Sequence, residues 1–425
     1  MISLQDIVSQ DNLNKTLRAK PLFYGYVIAV ASFCILFATF GIRFAYGVFF
    51  TPMSVELGWS SASTALAFSI SVLMEGLFNL ILGGVADKYG PRLVITLSGV
   101  LIGIGYCLMP LVHSLWQFYV FYGVIIGIGM GGMYVPLVTL IARWFKAGRT
   151  LMTGIVVCGV SIGMLVIPPC TAHLIEYFNW RTTFLLGGLA IIVVVTIASQ
   201  FLKRDPSILG LKAYGEKSEN WQGSQPALGQ EMTFKEALKT RQLWLVFAML
   251  FAYGFYQSAI NIHLVPDAIS SGIAPTTAAY ILSVIGGVSI IGRLGLGALG
   301  DRIGNRFIYI LGFSMFTLSI FWILNDKSIV AFFGFAAIYG IAQGGVATSQ
   351  SPIVASLFGL RSHGLLFGFC GFGCTIGMAI GPYVAGYLFD QTHSYHTAIF
   401  YCIAFSLLGL ILALLIKPFM KNTRV

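Results

Sequence analysis

The stretch SIIGRLGLGALGDRIGNR, residues 289–306, decides the fold because its last ten residues have a counterpart elsewhere in the chain. GALGDRIGNR (297–306) aligns with GGVADKYGPR (83–92) at an offset of 214 residues. The same offset aligns GMLVIP (163–168) with GMAIGP (377–382). We therefore expect two similar halves that follow each other in the same orientation, as in membrane proteins built from parallel repeats.

The composition is typical of a polytopic membrane protein. Of the 425 residues, 57% are hydrophobic and 9% are charged, and the mean hydropathy is +0.86. A soluble domain is roughly 25% charged. Runs of about 20 apolar residues predict membrane-spanning helices. Twelve are expected, at 23–51, 62–86, 92–111, 116–142, 150–174, 180–202, 242–268, 276–300, 307–325, 328–357, 362–389 and 396–416.

The predicted fold is an all-α membrane protein with twelve transmembrane helices in two pseudo-symmetric halves of six. Residues 1–202 form the first half, residues 203–241 a polar cytoplasmic linker, and residues 242–425 the second half. In the linker, Thr233 and Glu236 have the spacing of a capping box, which predicts a short surface helix.

The basic residues predict the orientation in the membrane. With both termini inside, 21 of the 25 Lys and Arg residues lie on the inner side, and the outer side holds Arg181 and Lys327. The positive-inside rule then places both termini on the cytoplasmic side of a plasma membrane, which is compatible with a bacterial inner membrane. This distribution accounts for the net charge of +10 without nucleic acid as a partner. The seven cysteines lie in apolar segments without metal-binding spacing, which predicts free thiols.

The repeated loop resembles the signature of the major facilitator superfamily, Gly-x-x-x-Asp-Arg/Lys-x-Gly-x-Arg, between helices 2 and 3 and between helices 8 and 9. FYGYVIAV (23–30), RWFKAGRTLMTGIVVCGVSIG (143–163) and GPYVAGYLFDQTHSY (381–395) resemble helix signatures of monocarboxylate transporters and of the related oxalate:formate antiporters. The likeness covers nearly the whole chain and implies a secondary transporter with alternating access. In the repeated loops it implies a conformational latch formed by Asp87, Arg92, Asp301 and Arg306.

Arg293 is a charged residue inside predicted helix 8. A charge at the centre of a membrane helix costs about 2.5–3.5 kcal/mol on the insertion scale, so such residues usually pair or face a ligand. Its neighbours one turn away, Ser289 and Gly297, offer no carboxylate. Monocarboxylate transporters similarly carry an arginine here, and the resemblance implies that Arg293 binds the substrate carboxylate. The alternative is an ion pair with a carboxylate from another helix.

Arg43 and Glu75 lie at similar depths in neighbouring helices 1 and 2, and we expect them to form an ion pair. The pair is either a buried structural contact or a gating or proton-coupling element. Relatives in the resembled family often carry a lysine near the position of Arg43.

Two departures from the resembled family bear on the mechanism. Many monocarboxylate transporters have an aspartate where this chain has Ser289, so another group has to carry any coupled proton. His263 is one candidate, because imidazole titrates near neutral pH; alternatively, it donates to a backbone carbonyl near the outer interface. Oxalate carriers are expected to place a lysine on helix 11, whereas residues 364–389 contain no Lys or Arg, which favours a monoanion over oxalate.

Polar residues on the cavity-lining helices 1, 4, 7 and 10 of this fold are further candidates for substrate contact. Asn79 is the repeat counterpart of Arg293, and helix 11 could supply an apolar wall. Each polar candidate could instead bridge two helices. The predicted set is Tyr134, Gln257, His263, Tyr339, Gln343, Asn79, Phe369, Cys370 and Cys374.

The sequence thus predicts a transporter of small monocarboxylates such as lactate or pyruvate, coupled to protons by symport. An anion exchanger of the oxalate:formate type is the first alternative, and a transporter-like ligand sensor is the second. We find no nucleophile–base pair, metal cluster or cofactor motif, so we expect no enzyme activity, no catalytic residues, no metal and no cofactor. The expected partners are the monocarboxylate anion, a proton and the lipid bilayer.

Overall fold

The computed structural model describes residues 23–145, 149–215, 232–359 and 362–416. Within these ranges, the side chains of Asp87 and Asp301 are among those not described, so the latch prediction for these two lies outside the described residues. The described residues contain twelve helices long and apolar enough to cross a membrane, which confirms the predicted number.

The twelve helices follow the predicted order. Their bounds are α1 Tyr24–Phe44 continued by Tyr46–Leu57, α2 Ser61–Tyr89, α3 Pro91–Leu108, α4 Leu115–Trp144, α5 Arg149–Phe178, α6 Trp180–Gln200, α7 Arg241–Ser270, α8 Pro275–Ile303, α9 Asn305–Asn325, α10 Ile329–Phe358, α11 His363–Thr392 and α12 His396–Leu415. We call α1–α6 the first half and α7–α12 the second half. A short helix, Phe234–Ala237, follows the capping box at Thr233, as predicted.

Helices α1 and α4 differ most from the expected bounds or geometry. Helix α1 continues past Pro52 and ends at Leu57, six residues beyond the predicted end at 51. Helix α4 has a π-helical segment, Tyr119–Ile126, and a turn near Gly132 before its last part begins at Tyr134. Hydrophobic periodicity cannot predict such a change of pitch, because every residue of the π-helical segment except Gly123 is apolar or aromatic.

The repeated loops show why their glycines recur. Gly90 and Gly304 end α2 and α8 with φ of 92° and 93°, a backbone conformation that residues with a Cβ rarely adopt. Arg92 donates to Gln200 at the end of α6, and Arg306 donates to the carbonyls of Ala413 and Leu414 at the end of α12. In this structure both arginines therefore join helices of their own half.

The two halves meet closely at the face where α1 ends and α2 begins, which we call the predicted outer face. Asp390 of α11 accepts the backbone N–H groups of Ser61 and Ala62 at 2.8 and 2.7 Å, where α2 begins. Gly386 allows this approach, since a Cβ there would lie 2.7 Å from the Ser61 carbonyl oxygen. Towards the opposite face, a Cβ on Gly368 or Gly154 would have no described atom within 4 Å.

The carboxylate at the repeat-related position of α5 behaves differently. Glu176, 214 residues before Asp390, lies 3.8 Å from His173 of its own helix. Helix α8 begins at Pro275, the counterpart of Ser61, and proline has no backbone N–H to donate. The charged contact at the start of α2 is therefore not repeated at the start of α8 among the described residues.

Candidate functional site

Arg293 lies where α8 packs against α5 of the other half. Its side chain is partly buried, about 15 Å along the helix from Ile303 at ~1.5 Å per residue. The Nε–H group donates to Ser161 Oγ of α5 at 3.0 Å. Ser289, one turn before Arg293, places its hydroxyl 2.9 Å from Ser161 Oγ and 2.7 Å from the Gly286 carbonyl oxygen.

The two terminal nitrogens of Arg293 form no hydrogen bond with a described residue. No carboxylate in the described part of the chain forms a salt bridge with it. Among the described residues, Arg293 therefore does not form the ion pair with a carboxylate from another helix that was the predicted alternative. A guanidinium in this state can present two parallel N–H donors to a carboxylate ligand.

The charge of this guanidinium reaches residues of α4 and α7 as well as of α5. Its charge acts electrostatically on Tyr134 of α4, Cys158 of α5 and Tyr253 of α7. Tyr134 is 38% exposed and packs edge-on against Phe40. The Tyr253 hydroxyl is buried without a hydrogen-bond partner in the described structure. Of the predicted substrate contacts, Tyr134 is thus within electrostatic range of Arg293.

Arg43 and Glu75 form the predicted ion pair, with Arg43 Nη1 2.6 Å from Glu75 Oε2. The side chains are 11% and 19% exposed. Arg43 also lies over the rings of Phe40 and Phe68, at 5.7 and 5.5 Å from their centroids. Glu75 lies midway along α2, so the pair sits at the depth of the bilayer centre. Phe40, which contacts both Arg43 and Tyr134, links this pair to the surroundings of Arg293.

His263 is buried and held by α11 and the start of α12. Its Nε2 lies 2.8 Å from the Pro382 carbonyl oxygen, and its Nδ1 lies 3.2 Å from the Tyr395 hydroxyl. Burial raises the pKa of the Tyr395 phenol, which therefore stays a hydroxyl that can donate to Nδ1. Nε2–H then donates to the carbonyl, so a neutral imidazole satisfies both contacts. This is the predicted alternative, a histidine that donates to a backbone carbonyl.

The other predicted polar contacts are spread through the second half and α2. Tyr339 is fully buried, and its hydroxyl lies 3.3 Å from Asn261 Oδ1 and 3.5 Å from the Gln257 carbonyl oxygen. Gln343 Oε1 and Asn79 Oδ1 are buried without a hydrogen-bond partner among the described residues. The structure therefore brings Tyr339 and Gln257 together, whereas the amide oxygens of Gln343 and Asn79 accept no hydrogen bond from the part of the chain that is described.

The α11 residues predicted to form an apolar wall lie in two different places. Phe369 packs with Phe234, Trp244 and Phe247, at the end of α7 that follows the short linker helix. Cys370 and Cys374 are buried, and the backbone at Cys374 closely approaches Gly254 of α7. Cys374 thus lies beside Tyr253 and its neighbours, whereas Phe369 belongs to an aromatic cluster around the linker helix.

Sequence reasoning missed Ser161 and Tyr253. Ser161 lies in the GVSIG stretch, whose two glycines, Gly159 and Gly163, pack against α1, while Gly286 of α8 lets that helix approach Ser161. One signal was available: its repeat counterpart is Thr375 of α11, another hydroxyl residue, which lies against Gly76 of α2. Tyr253 lies within the aromatic-rich stretch FAYGFY (251–256) of α7 and carries no distinguishing pattern.

Comparison with known proteins identifies the class. The family model described as Major Facilitator Superfamily matches residues 31–296 and 264–423. The fold is also that of a solved bacterial homolog of the human lysosomal transporter Spinster, in an inward-facing and occupied conformation. That likeness has a TM-score of 0.76 and 16% identity, and covers 94% of this chain and 97% of that one. The chain is a member of the Major Facilitator Superfamily, a family of membrane transporters.

Within this family, the chain is distantly similar to named monocarboxylate transporters. It is 26% identical to monocarboxylate transporter 12 of Rattus norvegicus, over 89% of this chain and 82% of that protein. It is 24% identical to human monocarboxylate transporter 7, over 93% and 86%. It is also 25% identical to the uncharacterized MFS-type transporter YcxA of Bacillus subtilis (strain 168), over 90% of this chain and 92% of that protein.

Proposed function

We propose that this protein transports small monocarboxylates, such as lactate or pyruvate, together with a proton by alternating access. The observation that carries the proposal is the state of Arg293. Its terminal N–H groups form no hydrogen bond with a described residue, and no described carboxylate neutralises its charge. A guanidinium held in the membrane interior at a cost of about 2.5–3.5 kcal/mol is best compensated by an anionic ligand. The distant likeness to monocarboxylate transporters supports the same substrate class.

One carboxylate fits this site better than two. Arg43 is already paired with Glu75, and α11 carries no Lys or Arg between residues 364 and 389. A dianion such as oxalate would place its second carboxylate in a desolvated site without a cation, which is costly. Tyr134 and the unpartnered hydroxyl of Tyr253 can bond a hydroxyl or keto oxygen beside the bound carboxylate.

Glu75 is our candidate for the proton carrier. It lies at the centre of α2, and its partner Arg43 would be released when the carboxylate is protonated. We prefer it to His263, because both nitrogens of that imidazole are occupied by Pro382 and Tyr395. Transfer of one proton with one monoanion moves no net charge, so we expect uptake that is insensitive to membrane potential.

Alternating access would move the first half, residues 1–202, against the second half, residues 242–425. Both termini would lie on the cytoplasmic side of a plasma membrane. Contact at the predicted outer face, through Asp390 and Gly386, supports an inward-facing state for the conformation described. The solved relative has an inward-facing conformation as well. Arg92 and Arg306 remain proposed latch residues, together with Asp87 and Asp301.

The test is uptake of labelled L-lactate into proteoliposomes with an inward proton gradient. We expect Arg293→Ala to lower kcat/KM about 100-fold, as for loss of a charge-assisted bidentate contact. Arg293→Lys keeps the charge but loses the planar pair of donors, so we expect a partial loss. Arg181→Ala is the matched control, because that arginine pairs with Glu56 at the predicted outer face.

Other outcomes would redirect the assignment. Exchange against preloaded anions without gradient-driven uptake would favour the exchanger of the oxalate:formate type. Binding without any transport would favour a ligand sensor. Wild-type activity in Arg293→Ala would make this arginine structural and remove the basis of the proposal.

A further inference from the structure

The contact between Arg293 and Ser161 crosses from one half of the protein to the other. Ser161 belongs to α5, whereas Arg293 and Ser289 belong to α8. The helices are in close contact at this level, since a Cβ on Gly286 would lie 2.8 Å from the Ser161 carbonyl oxygen. Ser161 is 2% exposed, so its hydroxyl has no bulk water to replace a lost partner.

The contact with Ser161 uses the Nε–H group of the guanidinium and leaves its terminal nitrogens free of Ser161. Ser161 Oγ accepts the Nε–H of Arg293 at 3.0 Å. The Ser289 hydroxyl has one hydrogen, which it gives either to Ser161 or to the Gly286 carbonyl. In both cases the Nε–H is engaged by Ser161, and the two terminal nitrogens keep their donors. Fixing Nε fixes the plane of the guanidinium and hence the direction in which its paired donors point.

We infer that Ser161 is a positioning residue for the substrate carboxylate, acting through Arg293. This rests on the proposed function of Arg293 as the carboxylate anchor. Ser161 reduces the freedom of the side chain before the ligand arrives, and preorganisation of this kind raises affinity. Because the serine belongs to the opposite half, the orientation of the guanidinium depends on how the two halves are placed. The anchor thus presents its donors correctly only while α5 and α8 keep this register.

The transport test uses Ser161→Ala, Ser161→Thr and the control Ser319→Ala. Ser319 is a buried serine of α9 whose hydrogen bonds, to the Phe316 carbonyl and to Tyr256, stay within the second half. We expect Ser161→Ala to raise KM for L-lactate about tenfold, with kcat retained, as for loss of one hydrogen bond to a charged group. Ser161→Thr keeps the acceptor oxygen and should restore KM. In an Arg293→Lys background, which has no Nε–H, adding Ser161→Ala should change KM less than twofold.

A second measurement separates this inference from the proposed substrate. Phenylglyoxal condenses with the two terminal nitrogens of a guanidinium, and mass spectrometry can follow its adduct at Arg293 without any substrate. We expect Ser161→Ala to change the rate of adduct formation at Arg293 several-fold and to leave the rate at Arg181 unchanged. If L-lactate is not transported but this rate changes, the proposed function fails and the positioning role stands. An unchanged rate, or equal KM in Ser161→Ala and wild type, would overturn the inference.

Discussion

The two arginines inside the membrane differ in how their charge is compensated. Arg43 in the first half is neutralised by Glu75 at 2.6 Å and lies over two phenylalanine rings. Arg293 in the second half donates one hydrogen bond to a serine of the other half and has no described carboxylate partner. A compensated charge contributes to internal structure, whereas an uncompensated one remains available to an anion.

The internal repeat explains how this difference arises. The counterpart of Glu75, 214 residues on, is Ser289, and the counterpart of Arg43 is Gln257. The second half therefore lacks both members of the ion pair at the equivalent positions. Its arginine instead stands at the position equivalent to Asn79, one turn after Ser289. The two halves thus share a helical framework and place their cations on different helices.

The largest expected effect comes from breaking the compensated pair. Arg43→Ala leaves Glu75 without its cation, and we expect the free energy of unfolding to fall by about 3–5 kcal/mol. Arg43→Ala/Glu75→Ala should regain most of this loss, while Arg293→Ala should change stability little. Chemical denaturation in detergent measures all three. Equal destabilisation by the two single arginine variants would show that both charges are internally compensated.

Proton coupling tests what the compensated pair does beyond stability. Glutamine cannot take up a proton, so Glu75→Gln should abolish accumulation of L-lactate driven by a proton gradient, while exchange of internal for external L-lactate persists. Glu56→Gln is the control, because this carboxylate binds Arg181 and Trp180 at the predicted outer face. Gradient-driven accumulation in Glu75→Gln at the wild-type level would assign the proton to another group.

The smallest expected effect comes from giving the second half an acid at the position equivalent to Glu75. In Ser289→Asp the new carboxylate lies one turn from Arg293 and competes with the substrate, so we expect KM for L-lactate to rise about tenfold at neutral pH. KM should recover as pH falls and the aspartate is protonated. Ser289→Asn, of similar shape and without charge, is the control. Identical pH profiles of the two variants would argue against pairing.

The helices and the paired charges were predictable because their physical signals are local. Apolar runs identify the twelve spans, and the helical rise places Arg43 and Glu75 at one depth, which the structure confirms. The repeated glycines at 90 and 304 follow from a backbone conformation that both loops need.

The remaining features depend on how helices face each other, which one sequence does not specify. Ser161 acquires its role only because α5 crosses α8 beside Arg293. Tyr339, predicted to face the substrate, points to Asn261 and Gln257 inside the second half. The helical rise gives the depth of a side chain but not the direction it takes around the helix axis.

The contact of Asp390 with the start of α2 would affect the order of events if the two halves part at the predicted outer face. Parting α2 from α11 at the predicted outer face breaks two charge-assisted hydrogen bonds at a helix N-terminus, which are stronger than neutral ones. Helix α8, which begins with Pro275, has no such contact with Glu176 in the described structure. At this face α5 and α8 are joined instead by the contact of His173 with the Tyr280 hydroxyl at 3.2 Å. If the halves part there, we expect α5 and α8 to separate more readily than α2 and α11. Substrate entering from that face would then arrive along the side of Arg293.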